Sequence, residues 1–446
     1  MKLFVTILEE TCDAAIAAIR ALRHEHDGVE VRAERFPSID LQAIRAATDK
    51  PIILTYRTSG AAAAGLSSSQ EIGGRSGHRS TSDVLAAGMD FIDIEWRDDV
   101  EIATPERTVL SHHDYEGMRD LELIFDRMRA RDCAHTKLAA TPLNFEDNLR
   151  LLSLLQPSEE LRGIPRNPTV IGMGERGLYS RILAPFKGAA LTFVAASNGA
   201  APGQLTLERA LDIYGGGALR ADKVFAVAGN PAGHSLSPAI HNQLFRQKGV
   251  PAAYTIASVE RFGELADAFL SGEPCGLSVT TPFKDDAFMF ARARNFDLGE
   301  NALRARAVNT LVNLGDRVLA DNTDVDGFAA LLPRASKAAI VGAGGTARAA
   351  RVALENAGIA ATIYNRTASK GDAPLAALAD FDGDLIINTL PSGVDVTIPP
   401  VRTYIEAAYG GATREVDARQ RIGGLELLHA QAIRQHELFM KVFDGL

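Results

Sequence analysis

Short apolar runs recur through the first half of the chain, spaced widely enough for a helix between neighbours. Runs at 3–8, 29–34, 51–57, 91–96, 108–113, 134–139, 169–173 and 190–195 read as strands. After the first, residues 14–26 (AAIAAIRALRHEH) repeat their apolar positions at helical spacing. Alternation of this kind predicts a parallel sheet. Eight such units in about 215 residues fit a (β/α)8 TIM barrel, with an open doubly wound sheet as the alternative. The polar positions favour the barrel. Glu30, Arg32, Arg57, Glu95, His113, Lys137 and Arg181 lie on or near the runs, most toward their C-terminal ends. In a barrel those ends form one mouth, so these side chains would meet in one pocket.

The pattern changes at Tyr214-Gly-Gly-Gly217. A helical segment (206–214) ends there, glycines relax the chain, and a new apolar run begins at 224. Further on, residues 337–367 read as strand, glycine turn, helix and strand within about thirty residues, the unit that holds a dinucleotide. Gly342, Ala343, Gly344 and Gly345 form the turn. Gly342 permits the tight bend, Gly344 lets backbone N–H groups approach a pyrophosphate, and Ala347 takes the close-packed third small position. At the end of the second strand Asn365, Arg366 and Thr367 replace the acidic residue of an NAD site. A neutral side chain and a guanidinium accept a 2′-phosphate, so the expected cofactor is NADP. Arg348, in the first turn of the helix, is either a further phosphate ligand or a solvated charge.

Composition narrows the class. Hydrophobic content of 46% and charged content of 23% are those of a globular protein with no membrane-spanning run. Cys12, Cys133 and Cys275 are scattered, without metal or disulfide spacing, which predicts buried thiols, no metal and a cytoplasmic setting. A net charge of −9 argues against nucleic acid and leaves small-molecule substrates as the expected partners.

The motifs VEVRAE, PIILTYR, IDIEW, LSHHD, HTKLAATP, GMGERGLYSR and AAPGQ resemble, in order, those of type I 3-dehydroquinate dehydratase over about residues 1–214. Dehydration of a β-hydroxy ketone needs a proton removed α to the carbonyl, and an imine with lysine makes that proton acidic. Lys137, on an apolar run that would desolvate it, is the candidate amine. His113 is the candidate base and then acid, and His112 points to the opposite face of the strand. The resemblance implies that Glu95 orients His113 and that Glu30, Arg32, Arg57, Arg181 and Gln204 bind substrate, Arg181 by its carboxylate. Ala200 stands where the family has serine, so weaker binding is expected. Residues 67–78, rich in Ser and Gly, read as a lid or a plain surface loop.

The second half carries AGNPAGHSLSPAIHNQLF, GLSVTTPFK, ARAVNTL and DNTDVDG ahead of the dinucleotide unit, and this series resembles shikimate dehydrogenase. Lys284 and Asp324 are the expected catalytic pair, since an ammonium beside a carboxylate can protonate the alkoxide left by hydride transfer. Ser235 and Ser237, at a helix start near Pro238, suit a carboxylate and equally suit helix caps. By resemblance Thr280, Asn309 and Gln431 contact substrate hydroxyls and Thr389 lines the cofactor pocket, while His234 and His241 are structural. Ser278 replaces the family's usual Asn, and residues 404–424 match the family's Asp-x-x-Tyr-x-Pro segment poorly.

The expected organisation is a barrel at 1–217, a substrate-binding domain at 222–325 completed by a C-terminal helix at 424–446, and a Rossmann NADP domain at 326–423. The expected function is bifunctional: Schiff-base dehydration of 3-dehydroquinate, then NADPH-dependent reduction of 3-dehydroshikimate to shikimate. The alternatives are a weak or quinate-preferring dehydrogenase half, or a second half that senses such ligands without turnover.

Overall fold

Eight strands of four to seven residues, most of them largely buried, build the first part of the chain in a computed structural model. The structure describes residues 1–34, 36, 38–56, 71–72, 79–155, 168–196, 201–215, 219–411 and 414–444. These residues divide into two compact units: Met1–Asp222 with Pro251–Ser258, and Lys223–Val250 with Val259–Leu446.

The strands of the first unit are β1 (Lys2–Ile7), β2 (Gly28–Arg32), β3 (Ile52–Thr55), β4 (Phe91–Glu95), β5 (Thr108–Asp114), β6 (His135–Ala140), β7 (Thr169–Gly172) and β8 (Leu191–Ala195). All pair in parallel, in the order β8-β1-β2-β3-β4-β5-β6-β7. The ring comes together where the Ala190 N–H donates to the Pro168 carbonyl (3.2 Å) and the Leu191 N–H to the Thr169 hydroxyl (3.1 Å). This is the barrel expected from the alternation of runs, and not the open sheet.

Side chains alternate across each strand, so every second residue enters the barrel. One interior layer is apolar: Phe4, Ile53, Val109, Ala139, Ile171, Leu191 and Phe193 form a cluster. Gly28 is required there, because a Cβ would stand 2.4 Å from the Phe4 ring and 2.7 Å from the Pro51 carbonyl. Helix starts are capped as the sequence dictates. Asn144 and Asp147 form a reciprocal capping box on Phe145–Ser153, an arrangement worth about 1 kcal/mol. Trp96, the sole tryptophan, directly follows β4 and lies near the Arg131 guanidinium.

Residues 251–258 fall inside the stretch expected for substrate binding, yet they cluster with the first unit. Their Thr255 hydroxyl donates to the Tyr179 carbonyl (3.1 Å), and the Ser258 hydroxyl to Glu175 (3.1 Å).

In the second unit Gly276–Val279 pairs in parallel with Lys223–Gly229 and antiparallel with Thr310–Asn313, which continues antiparallel to Val318–Asp321. A second sheet is wholly parallel, in the order Ala373–Pro374, Ala360–Asn365, Lys337–Val341, Leu385–Asn388, Val401–Glu406, Ala418–Ile422. Apolar clusters cover both its faces, one joining the helices Asp324–Leu331 and Gly345–Asn356, the other holding Tyr364, Phe381 and Tyr404. The C-terminal helix Gly424–Met440 lies so close to Asp324–Leu331 that a Cβ on Gly327 would reach within 2.8 Å of Gln431.

Beneath that helix His241 stacks on His436, ring centroids 5.9 Å apart, among Phe225, Phe245 and Phe439. Burial, and then His436, pushes His241 down to about 3, while burial, and then Lys248, pushes His436 to about 4. Both rings are neutral in the folded unit, whereas in the unfolded chain they protonate near 6.5. The unfolded state therefore binds more protons below about pH 6.5, and stability is lost as pH falls from there toward 4. The urea midpoint of the second unit, followed by far-UV circular dichroism and set apart from the Trp96 fluorescence of the barrel, should fall across that window. His241→Phe should flatten the dependence, and an unchanged slope would remove the pair as its source.

Candidate active sites

Glu30, Asp93, Ser111 and Lys137 occupy inward positions of β2, β4, β5 and β6, one parity step along each strand from the apolar layer. Lys137 is only 3% exposed. Its ammonium is the donor at the centre of the layer. It donates to Glu30 Oε1 (3.0 Å) and Asp93 Oδ2 (3.1 Å) and sits 4.0 Å from the centre of the Phe193 ring. The apolar run around Lys137 predicted a desolvated amine. The structure does bury it, with two carboxylates supplying what water would have supplied.

From this amine a chain of polar side chains runs in two directions. On one side Glu30 accepts from the hydroxyls of Thr55 (3.1 Å) and Thr6 (2.8 Å), and Thr6 accepts from Gln204 Nε2 (3.0 Å). Gln204 is placed by a close crossing in which Gly203, at φ 73°, brings its Cα against Gly174, where a Cβ would meet the carbonyl oxygen at 2.3 Å. On the other side Asp93 accepts from Ser111 Oγ (2.6 Å), which lies 3.4 Å from Glu95 Oε2. Glu95 grips His113 twice, accepting from its backbone N–H (2.8 Å) and from ring Nδ1 (2.8 Å). A carboxylate at Nδ1 places the proton there and leaves the Nε2 lone pair available as a base.

Arg181 is buried behind this layer, with Nε donating to the Gly172 carbonyl (2.9 Å). Burial lowers its guanidinium to about 10, and among the described residues no carboxylate is paired with it. A buried cation without a counter-ion suits an anionic ligand. Arg32 is instead engaged by Glu34 (2.5 Å). Arg57, Ala200 and most of 67–78 lie outside the described residues. Thr6, Thr55, Asp93, Ser111 and Phe193 did not stand out in the sequence. Their signal was parity, since Asp93 lies two residues before Glu95 and Ser111 two before His113.

In the second unit Lys284 Nζ donates to Asp324 Oδ2 (2.5 Å) and Thr346 Oγ1 (2.9 Å). Asn309 Nδ2 donates to Asp324 Oδ1 (2.8 Å) and Thr323 Oγ1 (3.0 Å), so both oxygens of Asp324 are held. Asp324 opens its helix, where the backbone dipole favours a carboxylate. Thr323 Oγ1 lies 3.2 Å from Gln431 Oε1, which joins the C-terminal helix to the group. Gln435 donates to the Thr310 hydroxyl (2.8 Å) and accepts from Ser278 (2.5 Å), so the serine found in place of asparagine has a partner. Ser235 and Ser237 are buried, and the Ser237 N–H donates to Ser235 Oγ (3.2 Å) at the start of the helix Ser237–Lys248. Thr280 follows Gly276–Val279, its N–H bonded to the Ala228 carbonyl (2.9 Å).

The glycine turn divides its labour. Gly342 adopts φ 104°, and a Cβ there would stand 2.6 Å from Thr389 Oγ1, which is itself bonded to the Val341 carbonyl (2.8 Å). Gly345 lets Lys284 approach, since a Cβ would come 3.1 Å from that of the lysine. A Cβ on Gly344 meets nothing within 4 Å, so this glycine borders open space at the helix N-terminus next to Ala343. At the end of Ala360–Asn365, Asn365 Nδ2 bonds the Thr367 carbonyl (3.0 Å), while Arg366 and Thr367 are exposed. Arg348, expected either at a phosphate or in solvent, is half-buried and has partners within the protein. It donates to the carbonyls of Ala305 (2.7 Å), Ala343 (3.4 Å) and Arg306 (3.2 Å), and to Asp285.

The tail that matched poorly in sequence is ordered as strands Val401–Glu406 and Ala418–Ile422. Glu406, at the strand end, accepts from Asn388 (3.1 Å) and from Tyr404 OH (2.6 Å). Tyr409, just beyond, brings its ring to 6.4 Å from that of His234.

Residues 3–216 match the family model for type I 3-dehydroquinase, and residues 227–311 that for the shikimate dehydrogenase substrate binding domain. The shikimate biosynthesis protein AroDE of Chlamydia pneumoniae is 32% identical over 318 residues, covering 66% of this chain and 63% of that protein. The pentafunctional AROM polypeptide of Zygosaccharomyces rouxii is 31% identical over 383 residues, covering 77% of this chain and 23% of the polypeptide. This chain thus spans less than two thirds of either relative. A solved structure, dehydroquinate dehydratase and shikimate dehydrogenase from S. pombe AroM, aligns over 99% of this chain and 98% of its own at 21% identity, with a TM-score of 0.39.

The grip of Glu95 has a direct spectroscopic consequence. Nitrogen-15 shifts of His113 should report a single neutral tautomer protonated at Nδ1. Glu95→Ala should return the ring to a mixture. A tautomer protonated at Nε2 in the unaltered protein would contradict the assignment.

Proposed function

We propose, from the match of residues 3–216 to the type I 3-dehydroquinase model and of residues 227–311 to that of the shikimate dehydrogenase substrate binding domain, that one chain performs two successive steps of the shikimate pathway. The barrel dehydrates 3-dehydroquinate to 3-dehydroshikimate, and the second unit reduces that ketone to shikimate. The observation that carries the reading is the buried Lys137 amine joined through Asp93 and Ser111 to the Glu95–His113 pair.

In the first reaction the Lys137 ammonium gives up a proton, the free amine adds to the substrate ketone, and the carbonyl oxygen takes up that proton and leaves as water, giving a protonated imine. Positive charge thus returns to the same nitrogen, so Glu30, Asp93 and the Phe193 face, which hold the ammonium, also hold the iminium. His113 Nε2 takes the α-proton, the enamine expels the β-hydroxyl, and the same imidazole returns the proton so that water departs. Hydrolysis of the imine frees the product and restores the amine. The buried Arg181 guanidinium, with no carboxylate paired to it among the described residues, supports its assignment to the substrate carboxylate, and Gln204, Glu30, Arg32 and Arg57 are assigned to the rest of the ring.

In the second reaction NADPH supplies the hydride. Lys284 delivers a proton to the ketone oxygen as negative charge gathers there, and Asp324, fixed by Asn309, keeps the ammonium in place. Ser235 and Ser237 receive the substrate carboxylate, and Thr280, Asn309 and Gln431 its hydroxyls. The open space at Gly344 and the exposed Arg366 beside the neutral Asn365 support a dinucleotide with a 2′-phosphate; Ala343, Gly342, Gly345, Thr367 and Thr389 complete that pocket. Three free, buried cysteines support a reducing, cytoplasmic setting.

Borohydride added with 3-dehydroquinate should leave a stable secondary amine on Lys137, mapped by mass spectrometry, and Lys137→Ala should abolish both the adduct and dehydration. Full dehydration by that variant would refute the imine. Lys284→Met should slow shikimate-dependent reduction of NADP by about 10²–10⁴-fold. Arg366→Ala should raise the KM for NADP by about 10-fold or more while leaving that for NAD unchanged, and equal effects on both would refute the 2′-phosphate contact.

A further inference from the structure

The Lys284 ammonium has three protons, and two of them have acceptors. One goes to Asp324 Oδ2 at 2.5 Å, the other to Thr346 Oγ1 at 2.9 Å. Two directed bonds on a tetrahedral nitrogen fix the direction of the third. Thr346 is not part of the substrate-binding fold. It belongs to the first turn of Gly345–Asn356, the helix whose N-terminus borders the dinucleotide turn. The start of that helix is fitted to the lysine on three sides. Gly345 lacks the Cβ that would stand 3.1 Å from the Cβ of Lys284 and 3.2 Å from that of Ala307. Arg348 ties the same turn to Asp285, the residue after the lysine, and to the carbonyls of Ala305 and Arg306.

We propose that Thr346 is a positioning residue for the reduction: its hydroxyl oxygen orients the Lys284 ammonium, so that the remaining N–H points at the ketone oxygen only while the dinucleotide helix is seated against the lysine. The inference rests on the reading of the second unit as a ketone reductase. It gives the glycine turn a second task beside cofactor binding, because the element that receives the dinucleotide also sets the aim of the proton donor. Asp324 alone would leave the ammonium free to rotate about a single bond.

Two substitutions separate the acceptor from the bulk of the side chain. Thr346→Val keeps the volume and removes the oxygen, while Thr346→Ser keeps the oxygen and removes the methyl group. Shikimate-dependent NADP reduction by Thr346→Val should show kcat lowered about 10-fold or more with the KM for NADP unchanged, and Thr346→Ser should recover most of the loss. A packing role would reverse the order, with valine tolerated and serine impaired. A phosphate contact would raise the KM for NADP and spare kcat. Either result, or two variants both equal to the unaltered protein, overturns the proposal. Dehydration of 3-dehydroquinate by the barrel serves as the control for folding. If the unaltered protein reduces no NADP, the reductase reading fails by itself. The contact is then read from the Lys284 ammonium in heteronuclear NMR, whose protons should exchange slowly in the unaltered protein and in Thr346→Ser and rapidly in Thr346→Val.

Discussion

The Lys137 ammonium lies almost wholly out of water, and an ion so placed persists only beside opposite charge. That constraint organises the barrel interior. Two carboxylates must come within hydrogen-bonding reach of one nitrogen, and parallel strands with alternating side chains deliver them from β2 and β4 to β6. The carboxylates in turn need donors, which Thr6, Thr55 and Ser111 provide. Each partner satisfied in this way brings in the next strand, until the chain of contacts reaches His113.

The second unit meets the same requirement with fewer charges. Lys284 has one carboxylate and one hydroxyl, and Asp324 is steadied by an amide. The local balance differs accordingly. Around Lys137 two anions face one cation, an excess that suits a nitrogen whose positive charge must return in the iminium. Around Lys284 the charges are equal, which suits a group that must release a proton and regain it.

Much of this was legible before the structure. The strands were visible because their apolar runs are short and regularly spaced, and Glu30, His113 and Lys137 stood out as polar residues among them. Asp93 and Ser111 were passed over because a polar residue within a strand reads equally as inward or outward until its register is known, and register is a property of neighbouring strands. Thr346 was hidden by its own context, since a glycine-rich turn draws attention to the glycines. For Arg348 a phosphate and solvent were the partners in view, and the backbone carbonyls that folding brings to it could not be read from the sequence. The tail looked divergent because strand pairing through Val401–Glu406 depends on main-chain bonds that many side chains permit.

The return of residues 251–258 to the first unit bears on how the two halves of the gene can be shuffled. A crossover placed at the glycines near 216, where composition suggests a seam, would deliver a barrel unit lacking Thr255 and Ser258, which bond to Tyr179 and Glu175. Recombination that exchanges either half for a homologue must therefore match this strand to the new partner as well.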